Sequence, residues 1–252
     1  MSERSQRVVL WWGCIFALIY GAAFLFLMHM VPPPSPKLSA TEIQAFYTEH
    51  HDSVRIGAVI ASWTSAFMLP IAMVIAAQMR RQEQGRIWTY LTISGGAMMS
   101  LFLVLPPLFW GVAAYTPGRD AQVTSLMHEL GVLTLTTTDQ FYIFMWVAIV
   151  AVCFIPTTVK HSAFTRSYGY FTAWSAFMFE AGAFAFLPRE GPFSWRGVLV
   201  FWSPLTIFSL WIAVTAFVFG RAIKQQRAAA REHDGVETPL HAGVLHPAGD
   251  PV

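Results

Sequence analysis

A chain of 252 residues that is 55% hydrophobic and only 12% charged is too poor in charge to be an ordinary soluble domain, in which about a quarter of residues are charged. The net charge of +2 is small, and nucleic acid is not an expected partner. Cys14 and Cys153, the two cysteines, both lie in apolar runs, which argues against a disulfide framework and a cysteine-based zinc site.

Six apolar runs follow one another, each near the ~20 residues that cross a ~30 Å hydrocarbon core. They are Val8–Met30, Val54–Met79, Ile87–Trp110, Phe141–Thr158, Tyr168–Leu187 and Val198–Phe219. The first is too long for a signal peptide and leads into Pro-rich sequence without a small-residue cleavage pattern, so it reads as a retained helix. The expected fold class is therefore all-α: a polytopic membrane helical bundle of six transmembrane helices in one domain, residues 1–231. A tail, residues 232–252, is rich in Pro, Gly, Ala and His without apolar periodicity and reads as a disordered cytoplasmic segment.

The connections alternate in charge. One set carries Arg4, Arg7, Arg80, Arg81, Arg86, Lys160, Arg166, Arg221, Lys224, Arg227 and Arg231; the other holds Glu42, Glu49, Asp52, Asp120, Glu129, Asp139 and Glu190 with fewer bases. The positive-inside rule places the first set, and both termini, in the cytoplasm.

Two short amphipathic helices are predicted in the outer loops. After the stiff spacer "PPPSP" (Pro32 to Pro36), "SATEIQAFYTEHH" opens with Ser39 and Glu42 at capping-box spacing. Ile43, Phe46, Tyr47 and His50 then recur at helical spacing. In the third connection Pro117 suits a first turn and Gly131 a stop, with Val123, Met127 and Leu130 on one face.

Span two contains "SWTSAFMLP" and span five "AWSAFMFEA", so Ala66-Phe67-Met68 aligns with Ala176-Phe177-Met178 and Pro70 falls opposite Glu180. The spans run in opposite directions, which would suit an inverted repeat. Helix breakers recur as well: Pro70, Pro106-Pro107 and Pro204, which can kink a helix and open a cavity or be ordinary features of membrane helices.

Glu180 is the residue that most needs an explanation. It lies 12 residues, or about 18 Å, into span five, where a charge costs at least ~2.5–3.5 kcal/mol on insertion scales. Ala173, Ala176 and Ala183 share its predicted face, and small residues mark close helix approach. Candidate partners are Arg55, His29 and Asp139; Arg189 in the hairpin "PREGPFSWRG" is placed to attract an anionic group. Glu180, Arg55, Asp139 and Arg189 are the candidate ligand-binding set. His50, His128 and Asp120 are a weaker candidate metal set, since His and carboxylate are the usual ligands of zinc, copper or iron, although no HExxH spacing is present.

"VPPPSPKLSATEIQAFYTEHH" and "GPFSWRGVLVFWSPL", with "AAQMRR" after span two, resemble a family of six-span bacterial inner-membrane proteins for which no activity is established. The resemblance runs from Val8 to Ile223; it implies the fold and a bacterial inner membrane and supplies no site residues. The expected function is binding of a small or hydrophobic ligand in an outward-facing cavity near Glu180, by a transporter-like or accessory protein. A membrane-embedded oxidoreductase subunit with a metal at the outer loops and a structural subunit of a membrane complex are the alternatives. The cofactor and any catalytic residue stay open; the bilayer, a hydrophobic small molecule and other membrane subunits are the expected partners.

Overall fold

The computed structural model describes residues 2–83, 85–157 and 159–237, and among them every regular element is a helix. Nine α-helices follow in order: α1 Glu3–Ala22, α2 Ala40–Glu49, α3 His51–Thr64, α4 Met68–Met79, α5 Ile87–Tyr115, α6 Ala121–Thr137, α7 Ile143–Phe154, α8 Arg166–Phe179 and α9 Ser203–Glu237. Five short segments wind differently. Ala23–Leu27 and Val198–Trp202 are π-helical, whereas Ser65–Phe67, Asp139–Phe141 and Glu180–Phe186 are 3-10. The expected tail lies, from residue 238 on, outside the described residues.

Among the described residues, four continuous helical stretches are long and apolar enough to cross a membrane: Glu3–Leu27, His51–Met79, Ile87–Tyr115 and Val198–Ala229. Local chemistry fixes several boundaries. The Ser39–Glu42 capping box starts α2 as its spacing predicts, and the two hydrogen bonds from Ser39 hold the Glu42 carboxyl below its ordinary pKa. The Glu83 carboxylate accepts from the backbone N–H groups of Trp88 (2.8 Å) and Thr89 (3.0 Å), capping α5. α7 stops at Phe154 because Ile155, before Pro156, is extended (ψ 130°).

α5 is the ruler of the bundle. Its residues Trp110, Phe102 and Gly95 meet, in that order, His128 and Gly131, then Phe141, then Met145. As α5 is read backwards its neighbour is read forwards, so α6 and α7 together form one broken rod antiparallel to α5. This corrects two expectations about the third connection. Gly131 does not stop α6: a Cβ there would sit 2.2 Å from the Trp110 indole nitrogen, so the glycine exists to seat that ring inside a continuing helix. The helix starts at Ala121 rather than near Pro117, and its buried residues are Thr124, His128, Gly131 and Val132, with Val123 and Leu130 exposed.

One end of the bundle is capped. The Lys37 ammonium meets Glu190 at 2.7 Å, and the Trp195 indole N–H donates to the Pro34 carbonyl at 3.0 Å, tying the Pro-rich spacer to the 188–197 hairpin. The opposite, basal end carries Arg4, Arg7, Arg80, Arg81 and Arg86. There three buried glutamines join α1, α4 and α9: the Gln78 amide donates to Gln6 at 2.7 Å, and Gln226 donates back to Gln78 at 3.1 Å and to the His161 carbonyl at 3.1 Å. Arg81 also donates to Gln226.

Candidate ligand cavity

A cavity of about 190 Å³ lies among α1, α5, α8 and α9, lined mainly by apolar side chains. Its polar groups are Tyr20, Thr136, Asp139, Tyr142 and Ser209. All five non-α segments reach it: Phe24 from the first π-helix, Phe67, Asp139 and Gly182 from the three 3-10 turns, and Val200 and Phe201 from the second π-helix. Such departures from α winding are frequent at functional sites because they re-aim side chains and release backbone groups.

The prolines of α5 act on this cavity. Pro107 has no N–H to give the carbonyl four residues back, which is that of Leu103. The Tyr20 hydroxyl donates to that carbonyl at 2.7 Å. Tyr20 is thereby held against Phe24 and Phe67, with ring centroids 4.5 and 5.3 Å away.

Asp139 sits in the break between α6 and α7. Its neighbour Phe141 packs on Phe102, close to the midpoint of α5. The sequence placed Asp139 at the outer start of a span; the register of α6 along α5 moves it inward to mid-bundle, where it is 2% exposed. Gly182 closes over it. A Cβ at Gly182 would lie 2.1 Å from the Thr136 carbonyl oxygen and 3.7 Å from the Asp139 Oδ1, so only glycine lets the 3-10 turn of the α8 rod cross the break of the α6–α7 rod. Tyr142 is within electrostatic reach of Asp139, Glu180 and Tyr20.

Glu180 stands beside this group without lining the cavity. It is half-buried, and the buried face of α8 is Tyr168, Gly169, Thr172 and Ser175, continued by Gly182 and Ala185. The alanine strip flanks that face. The α-helical step of 100° holds only to Phe179; from Glu180 the tighter 3-10 winding changes the step, so extrapolating the α period misplaces the carboxylate. Arg55 is not its partner. The Arg55 guanidinium lies 3.8 Å from Asp52 and over the Tyr115 ring at 5.4 Å. Arg189 is exposed on the 188–197 hairpin.

The candidate metal residues are not assembled into one set. His50 stacks on His29, centroids 4.5 Å apart. His128 is 1% exposed and its Nδ1 shares a hydrogen bond of 2.9 Å with the Tyr47 hydroxyl. The Asp120 carboxylate caps α6, accepting from the N–H groups of Gln122 and Val123. Among the described residues no group of three His, Cys, Asp or Glu side chains is placed to hold an ion.

Tyr20, Tyr142 and Gly182 were not singled out from sequence, because each is an unremarkable residue of an apolar run. The available signal was Pro106-Pro107, which announces freed carbonyls on α5 without naming what binds them. Comparison with family models, with curated proteins and with solved structures gave no match.

Proposed function

We propose that the chain is an integral protein of a bacterial inner membrane, crossing it six times with both termini in the cytoplasm, and that it binds a small hydrophobic ligand in the cavity beside Asp139. The arginine-bearing basal end favours that orientation. In this reading the fourth crossing is the broken rod α6–α7 and the fifth is α8 with its 3-10 extension. Ligand sites near the mid-plane, formed by discontinuous helices, are a recurrent device of transporters, so the role is transporter-like or accessory to a membrane complex.

The observation that carries the reading is the meeting of all five non-α segments at one apolar cavity with a carboxyl and two phenols in or beside it. A dry cavity of roughly 150 Å³ already accepts benzene, so about 190 Å³ suits a ligand with a ring-sized apolar body and one hydrogen-bonding head. Gly21, Leu205 and Ser209 line the cavity and are themselves exposed. They belong to α1 and α9, so the opening faces sideways between these helices rather than outward past Glu180.

The test uses 4-propylphenol as probe and the protein in nanodiscs. A site saturated at about 100 times Kd adds about 2.7 kcal/mol to stability, readable as a rise in Tm. Gly21→Trp, placed where a Cβ meets nothing within 4 Å, is expected to close the opening and abolish the rise without lowering the unliganded Tm. Asp139→Asn is expected to weaken it and Glu180→Gln to leave it. An unsaturable response, or one unchanged by Gly21→Trp, would sink the assignment.

A further inference from the structure

A second groove, of about 650 Å³, runs along the surface between α3 and α5. Its two walls are antiparallel: Arg55 faces Tyr115 at one end, Ala58 faces Gly111 in the middle, and Ser62, Trp63, Pro107 and Leu108 close the other end. The floor is shallow backbone contact, because a Cβ on Gly111 would lie 2.9 Å from that of Ala58. From Asp52 to Trp63 the groove follows eleven helical residues, about 16 Å. That is half of a ~30 Å hydrocarbon core, the depth of one leaflet.

Charge is confined to one end. Asp52 and Arg55 stand side by side at 3.8 Å, their side chains 74% and 46% exposed, with His51 3.3 Å from the same Asp52 oxygen. The body carries Ile56, Val59, Leu108 and Val112 and no charge. A cation and an anion together at the mouth do not favour a purely anionic headgroup. They complement a phosphate bearing a nearby ammonium, and the exposed carboxylate prefers an ammonium that can still donate hydrogen bonds over a quaternary one.

We infer that this groove binds one molecule of phosphatidylethanolamine, its phosphate at Arg55, its ammonium at Asp52 and one acyl chain laid along Ile56 to Trp63. The inference rests on α3 and α5 crossing the bilayer and is independent of the cavity between α1 and α9.

The experiment is native mass spectrometry of the full chain released from nanodiscs holding equal parts of phosphatidylethanolamine, phosphatidylglycerol and phosphatidylcholine with matched chains. One phosphatidylethanolamine per protein is expected, retained about fivefold over either competitor. Asp52→Asn brings its retention down to that of phosphatidylcholine, and Arg55→Gln lowers all three lipids. Both positions are solvent-facing, and an unchanged Tm establishes that each variant is folded. Preferred retention of phosphatidylglycerol, equal retention of the three lipids, indifference to both substitutions, or a dimer that shields Trp63 from labelling would each overturn the assignment.

Discussion

Replacing Tyr20 by Phe removes one hydroxyl and isolates one carbonyl, and the size of the effect depends on a residue 87 positions away. In the native chain the Leu103 carbonyl has lost its helical donor to Pro107 and accepts from Tyr20 at 2.7 Å. Without the hydroxyl, a carbonyl in the bundle interior has no donor, which costs about 1–3 kcal/mol; a loss of about 2 kcal/mol is expected. With Pro107→Ala in place, an N–H is restored four residues along α5, the carbonyl stays satisfied, and Tyr20→Phe is expected to cost under about 1 kcal/mol. The coupling is then about 1 kcal/mol, a factor of roughly five in the unfolding equilibrium. Equilibrium unfolding in mixed micelles, followed by the fluorescence of the 10 tryptophans, measures all four corners of the cycle. Equal costs of Tyr20→Phe in both backgrounds, within about 0.5 kcal/mol, would refute the idea that Tyr20 serves the carbonyl that Pro107 frees.

Gly182→Ala should destabilise far more than an average surface change, since its Cβ would meet backbone rather than a movable side chain; a Tm within a degree of the parent would contradict the crossing of the two broken rods. At the basal end, Gln78→Leu takes away the amide that bridges Gln6 and Gln226, while Gln226 keeps Arg81 and the His161 carbonyl, and it is expected to cost about 1–2 kcal/mol in the same unfolding assay. Gln226→Leu also removes the partner of Arg81 and of the His161 carbonyl and should cost more than Gln78→Leu; an equal or smaller loss would show that those two contacts contribute nothing.

The helical class and the four long apolar helices could be read from composition and run length, because both depend on solvent alone. The α2 start was legible for a different reason: a capping box is a local device whose parts lie three residues apart. What escaped was set by register between distant segments. Gly131 reads as a helix stop until Trp110 occupies the space above it. Asp139 reads as an outer residue until α6 is laid along α5. Glu180 stands out in the sequence as the polar group that needs explaining, but its orientation does not follow from an α period that ends one residue earlier. The buried glutamines carry no signal in the sequence, because neutral amides near arginines look like solvated surface, whereas Gln6, Gln78 and Gln226 are all buried. Repeat symmetry fares no better in detail: the irregular turn of span two falls at Ser65–Phe67, whereas that of span five begins at Glu180, opposite Pro70 in the aligned register.

The three glutamines also set where α1 and α9 stay together. They fasten α1 to α9 near residues 6 and 226, whereas the sideways opening lies between Gly21 and Leu205 or Ser209. From Gln6 to Gly21 is fifteen residues, about 22 Å along α1. The mouth end of α1 is held as well, since Tyr20 beside Gly21 donates to the Leu103 carbonyl of α5 at 2.7 Å. Because amides do not titrate in the physiological range, these basal bonds hold equally at any ordinary pH, so any widening at the mouth would leave α1 and α9 joined at the base.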